Sequence, residues 1–251
     1  MKNNISKKII ERYSRQIVLK DVGIIGQKAI LKSKVLIVGI GGLGCPIVDY
    51  LARAGVGTLG IMDFDKVNLS NIHRQSMYNL NDVGKPKVEI IKKKIKLINP
   101  YTKIKIFKKK ATNQNLNAIV KNFDIIVDGT DNFKTKFLLN KFSIKHKKIL
   151  IVGAISKFDG HIFTFNFKNK KDPCLKCFYQ SEPSDEILNC EAEGILGPVA
   201  GVVGNIQSNE VLKKILNIGK NLSGFILIIN IKNLDFRRVK FSKKKNCICK
   251  K

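Results

Sequence analysis

The chain has 251 residues, enough to bury a full core as one large domain, and a formal net charge of +28. Only 6 of its 47 basic residues are arginine, the side chain that reads phosphates and guanine edges bidentately, so the 41 scattered lysines read as compositional bias and argue against a nucleic-acid partner. No run reaches the roughly 18 apolar residues of a membrane helix, and no apolar segment follows the basic start, so the expected place is the cytoplasm, with no membrane partner.

In chain order, the first strand is expected at 35–40, inside VLIVGIGGLG, where Gly39, Gly41 and Gly44 fit G-x-G-x-x-G after an apolar run. Such a loop aims helix N-terminal amides at phosphate, but leaves open whether a nicotinamide dinucleotide or ATP carries that phosphate. A helix over 42–55 ends at Gly55, and strands follow at 58–63 (TLGIMD), 103–107 (KIKIF), 124–128 (DIIVD) and 149–153 (ILIVG). Between them, helices are expected over 86–98, with Pro86 in the first turn, and over 132–146, capped from TDN by Thr130 or Asp131. Alternating strands and helices behind a phosphate loop predict an α/β fold, a Rossmann-like, doubly wound and mostly parallel sheet.

Beyond 155 the pattern changes. HIFTFNF (161–167), FILIINI (225–231) and FRRVKF (236–241) predict a C-terminal antiparallel extension, and 198–217 a buried packing helix. The stretch 168–196 is too long for a simple connector and is expected to cover the site. The whole reads as a single domain over 1–251, with a nucleotide-binding part at about 30–155.

The ligand is decided downstream of the loop. Asp63 ends the second strand, where either nucleotide would place its ribose. The following DFDKVNLSNIHRQ brings Asn71, Arg74 and Gln75 together, and GKPK adds Lys85 and Lys87. Cations there suit a triphosphate and have no use beside a nicotinamide, although in so lysine-rich a chain each alone would read as surface. Runs such as KKK at 92–94, 108–110 and 243–245 read as solvated faces. VDGTDN, ending the fourth strand, sets Asp128 and Asp131 where Mg²⁺ would bridge phosphate oxygens, Asp131 being preferred.

With ERYSRQIVL (11–19), PCLKC, CEAEGILGPVAGVVGNIQSNEVLK and the terminal cysteines, these segments resemble the ThiF/MoeB/HesA family of adenylyltransferases, relatives of the ubiquitin-activating enzymes, over nearly the whole chain. The resemblance implies ATP-dependent adenylylation of the C-terminal glycine of a ubiquitin-like sulfur carrier ending in Gly-Gly, by a homodimer. It implies Gly39, Gly41, Gly42 and Gly44 at the phosphates, Asp63 at the ribose, Asn71, Arg74, Gln75 and Lys87 at the triphosphate, and Asp131, with Asn132 beside it, at Mg²⁺. Arg15 would reach the phosphates of the other subunit, and the carrier would dock on the part at about 156–251. DFDKVNLSN and EAEGILGPVAGVVG lean toward the molybdopterin-synthase branch over the thiamine branch; a dehydrogenase and a non-catalytic scaffold are the readings from other classes.

Cys174 and Cys177 have the spacing of half a zinc site. The family supplies the other half from a C-terminal C-x-x-C, which would here be Cys247 and Cys249, one residue closer together, so a structural Zn²⁺ and a degenerate site both stand. Cys190 is carried over as a candidate reactive thiol, without a neighbouring His or Arg to activate it, and Cys45 reads as core. Lys136 stands where relatives commonly carry Arg. Among the histidines, only His73 lies beside the triphosphate segment.

Overall fold

The computed structural model describes residues 6–179, 181–183 and 194–250. Three short helices, α1 (Lys7–Arg12), α2 (Ser14–Ile17) and α3 (Gly23–Lys32), precede the sheet. There follow β1 (Lys34–Val38), α4 (Gly44–Ala54), β2 (Thr58–Met62), α5 (Lys87–Ile98), β3 (Lys103–Phe107), α6 (Asn113–Val120), β4 (Ile125–Asp128), α7 (Phe133–Lys145) and β5 (Ile149–Ser156). β6 (Asp159–Asn166), α8 (Leu175–Phe178), α9 (Gly197–Leu216), β7 (Phe225–Asn230) and β8 (Asp235–Lys240) complete the order.

The strands make one eight-stranded sheet in the order β3-β2-β1-β4-β5-β6-β7-β8, parallel through β5 and antiparallel beyond it. This is the doubly wound, mostly parallel sheet with an antiparallel extension that the sequence predicts. The strand order reverses between β1 and β4, and a crevice opens there at the carboxyl ends of the strands.

β1 is apolar throughout its buried length because both its faces are covered. Val35 and Ile37 pack into a core with Ile47 and Leu51 of α4, Ile91 of α5 and Val203 of α9. Leu36 and Val38 enter the opposite core, with Leu116 of α6, Phe137 of α7 and Phe163 of β6. One strand thereby joins two hydrophobic layers, and the loop that follows it inherits a rigid base.

Three boundaries differ from expectation for local reasons. α4 starts at Gly44 because residues 39–43 form the loop itself, with the Cys45 amide donating to the Gly41 carbonyl. Pro86 is the extended residue before α5, which makes Lys87 its first helical residue. α7 is capped neither by Thr130 nor by Asp131 but by Asn132, whose side chain accepts from the Thr135 amide at 2.9 Å. The long 168–196 stretch, expected to cover the site, contains α8; its residues 180 and 184–193, with Cys190, lie outside the described residues.

Candidate functional site

A cleft of about 840 Å³ lies over the carboxyl ends of the parallel strands. Its walls include Gly39, Gly41, Gly42, Asp63, Arg74, Gln75, Lys87, Asp131 and Asn132. Residues far apart in sequence meet here because β1, β2 and β4 are neighbours: β1 and β4 end in short turns, and β2 in the 63–86 segment that carries Arg74 and Gln75.

The floor is backbone. Gly39 has φ 86°, and a Cβ on it would strike the Gly129 carbonyl in the turn after β4. Only glycine permits this approach, which presses the turns after β1 and β4 against each other. The Ile40 amide, inside the glycine loop, donates to Asp63 Oδ2 at 2.7 Å, and the Asp65 amide donates to Oδ1 at 2.8 Å. Burial raises the Asp63 pKa even with Lys87 nearby to oppose it. Each carboxylate oxygen keeps a lone pair for a ligand hydroxyl.

The cationic wall starts from a single turn. The Asn71 carbonyl accepts from the amides of Arg74 and Gln75, turning both side chains toward the cleft. Arg74 Nη1 donates to the Ser70 carbonyl at 3.0 Å and lies 2.8 Å from His73 Nε2, which must be the unprotonated nitrogen to accept. Gln75 Oε1 is buried without a hydrogen-bond partner among the described residues, an acceptor left for an occupant of the cleft. Lys87 is buried and reaches Asp65 Oδ2 at 3.3 Å.

The two aspartates of VDGTDN part company. Asp131 is exposed on the cleft wall, with a long 3.4 Å contact from Asn132 Nδ2 to its Oδ1. Asp128 is fully buried and paired with Lys136 at 2.9 Å, so it is spoken for within the protein and does not sit at the cleft.

Several expected residues lie elsewhere. Asn71 is buried behind the wall and contributes through its backbone; Gly44 starts α4, packed on the Gly39 carbonyl. Lys85 is exposed off the wall, and Arg15 is exposed on α2, away from the cleft of its own chain. Conversely, Lys109 and Lys110, read as part of a solvated run, line the cleft with Thr112, Asn113 and Gln114, and Lys110 Nζ lies 5.6 Å from the centre of the Phe64 ring. Their signal was positional: they follow a parallel strand at its carboxyl end.

Away from the cleft, Cys174, Cys177, Cys247 and Cys249 converge, all four sulfurs within 4.8 Å of one another. Pair distances of 4.0, 3.4 and 3.6 Å for Cys174–Cys177, Cys174–Cys247 and Cys177–Cys249 bracket the ~3.8 Å edge of a tetrahedron with metal–sulfur bonds of about 2.3 Å. The cluster has the donors and size to hold one metal ion, and the short C-x-C spacing closes onto it. The Leu175 amide donates to Asn140 Oδ1 of α7, and the Lys244 amide to Cys177 Sγ at 3.5 Å, fixing the knuckle from both sides. Cys45 is buried under the glycine loop, and burial pushes its thiol up to about 12, as suits a core residue.

The profile described as the ThiF family matches residues 13–251. A probable molybdopterin-synthase adenylyltransferase of Gracilaria tenuistipitata var. liui is 37% identical over 244 residues, covering 97% of this chain and 68% of its own. The sulfur carrier protein adenylyltransferase of Thermus thermophilus is 35% identical over 246 residues, 96% and 91% of the two chains. An adenylyltransferase and sulfurtransferase MOCS3 of Dictyostelium discoideum is 38% identical over 239 residues, but this chain spans only 56% of it. Among solved structures, E. coli MccB with MccA-N7isoASN superposes with a TM-score of 0.84 at 22% identity, covering 99% of this chain and 76% of the other, a likeness of fold. Among the described residues no helix is long and apolar enough to cross a membrane.

Proposed function

We propose that this chain, which belongs to the ThiF family and is an adenylyltransferase, uses ATP to activate the C-terminal glycine of a ubiquitin-like sulfur carrier. The observation that supports it most is the meeting of Asp63, Arg74, Gln75, Lys87 and Asp131 on one cleft over a glycine floor. A carboxylate is a poor acyl donor, and a mixed anhydride with AMP supplies the leaving group it lacks.

The carrier's carboxylate oxygen attacks the α-phosphorus, the bond from that phosphorus to the bridging β-oxygen breaks, and pyrophosphate leaves with the electron pair. No side chain acts as nucleophile. The glycine-loop amides face the phosphates, Asp63 accepts from the ribose hydroxyls, and Arg74 and Lys87 offset the charge that builds on the departing pyrophosphate. Gln75 Oε1 accepts from a ligand or its ordered water. Catalysis is positioning plus neutralisation.

Asp131, a hard and exposed carboxylate oxygen donor, fits Mg²⁺, which when bound supplies positive charge to the phosphate oxygens. Cys174, Cys177, Cys247 and Cys249 fit a structural Zn²⁺ that ties the tail to α8. We further propose one domain over 1–251 in a cytoplasmic homodimer, each Arg15 serving the partner's cleft. The carrier is that of molybdopterin synthase rather than of the thiamine pathway, on the wording of DFDKVNLSN and EAEGILGPVAGVVG.

The test is exchange of labelled pyrophosphate into ATP, run with a molybdopterin-type and a thiamine-type carrier, each ending in Gly-Gly. The expected result is exchange with the first and its loss in Asp131→Ala. Exchange with the thiamine-type carrier alone reverses the branch, and exchange with neither sinks the proposal.

A further inference from the structure

Lys136 is the most deeply buried lysine among those whose ammonium partners are described, with 1% of its side chain exposed. All three of its N–H donors are used: to Asp128 Oδ2 at 2.9 Å, to the Thr130 carbonyl at 2.7 Å and to the Gly153 carbonyl at 2.6 Å. Asp128 is equally committed. Its Oδ1 accepts from the Thr130 amide at 3.0 Å and from the Thr130 hydroxyl at 2.7 Å, and its backbone carbonyl accepts from Gln207 Nε2 at 2.8 Å.

Such a pair is a poor device for stability alone, since two apolar side chains of the same volume would fold at least as well without the desolvation penalty. What it does supply is placement. Thr130 is gripped at its amide, its hydroxyl and its carbonyl, the last by the ammonium, and its carbonyl carbon is bonded to the nitrogen of Asp131. Lys136 also bolts that turn to β5 through Gly153. By contrast, among the described residues the Asp131 carboxylate has only the long contact from Asn132 Nδ2 to orient it.

We infer that Lys136 is a positioning residue that aims the Asp131 carboxylate into the cleft by holding the Thr130 carbonyl. The inference rests on Asp131 being a metal-binding carboxylate, as proposed above. It assigns Lys136 no contact with nucleotide or metal; its effect passes through the turn.

Lys136→Met alone would strand the Asp128 carboxylate in the core, so the informative variant is the double Asp128→Asn/Lys136→Met. There the side-chain amide oxygen introduced at position 128 still accepts from Thr130, while the grip on the Thr130 carbonyl is gone. The readout is Mn²⁺ affinity, by paramagnetic resonance, of the full chain saturated with a non-hydrolysable ATP analogue, together with the Mg²⁺ concentration giving half-maximal pyrophosphate exchange. Both are expected to weaken by about tenfold or more in the double variant, with nucleotide affinity in chelator unchanged. Lys136→Arg, which keeps charge and donors, is expected to stay within about threefold of the parent. A lower melting temperature with unchanged metal affinity in the double variant overturns the inference and leaves the adenylylation reading standing. Unchanged metal affinity in Asp131→Ala removes the role of Asp131 and the inference with it.

Discussion

From β1 to β5 the sheet is parallel and helix-covered, whereas β6 to β8 return antiparallel and end in an uncovered strand. In β1, Val35 to Val38 are buried on both faces; in β8 all six residues are exposed. The first region is held by burial and supports the cleft on backbone turns that touch at Gly39 and Gly129. In the second, β6 and β7 still place Ile162, Phe163, Phe165, Ile226 and Ile229 in the core, whereas β8 is held by a ladder to β7, by Arg238 stacked 4.6 Å from the centre of the Phe225 ring, and by Phe241 set edge-on to Phe163, Phe165 and Phe178. The cysteine cluster then ties the tail to α8 and α7. Packing thus specifies the half that bears the cleft, while stacked rings and thiols fasten the last strand and the tail, and the two should fail under different perturbations.

The largest effect is expected from cutting the shared core. Ile37→Ala, at a fully buried position, should remove about 2–5 kcal/mol in denaturant titration. A loss below about 1 kcal/mol would mean that β1 is not the rigid base of the cleft. Next, Arg74→Ala should lower carrier-dependent exchange by about 10²–10³ while the melting temperature barely moves. A parallel collapse in stability would show the cleft wall to be part of the fold.

Metal is the test of independence. Zinc is expected to bind near one equivalent, and its removal by chelator or by Cys174→Ser should expose 241–250 to protease and lower the melting temperature, yet leave nucleotide affinity within about threefold. If nucleotide binding falls in step, the knuckle's hold on α7 through Asn140 reaches the cleft and the division fails. The smallest effect concerns pH. Burial lowers the pKa of His161 on β6 and of His146 after α7. Below about 6.5 the unfolded chain takes up protons that the folded chain refuses, so stability is complete above that pH and declines as pH falls. His161→Asn should flatten the decline by less than about 1 kcal/mol.

The parallel core was readable because buried strands are short apolar runs and glycine, proline and TDN mark their ends. The antiparallel tail was readable as strands, but the pairing of β6 with β7 across α8 and α9 is a long-range choice that no local pattern encodes. At the cleft, Asp63, Arg74, Gln75, Lys87 and Asp131 stood out by chemistry and position. Asp128 was misplaced because the sequence marks Lys136 only as a lysine where relatives commonly carry Arg, and not as the partner that folds back onto the carboxylate eight residues earlier. Lys109 and Lys110 were lost in the same abundance. The cysteine cluster was half legible: C-x-x-C announces a metal, whereas whether C-x-C can close on it depends on where the tail folds.

Both borders of the sheet are cationic. β3 reads KIKIF, with Lys103 and Lys105 exposed, and β8 reads DFRRVK, exposed along its length. A bare strand edge is a template for another chain, and like charges along it repel a second copy that would otherwise zip on through its backbone. These lysines and arginines thus guard the two borders against fibre-like growth, so the molecule should be most prone to aggregate at high ionic strength, where that guard is screened.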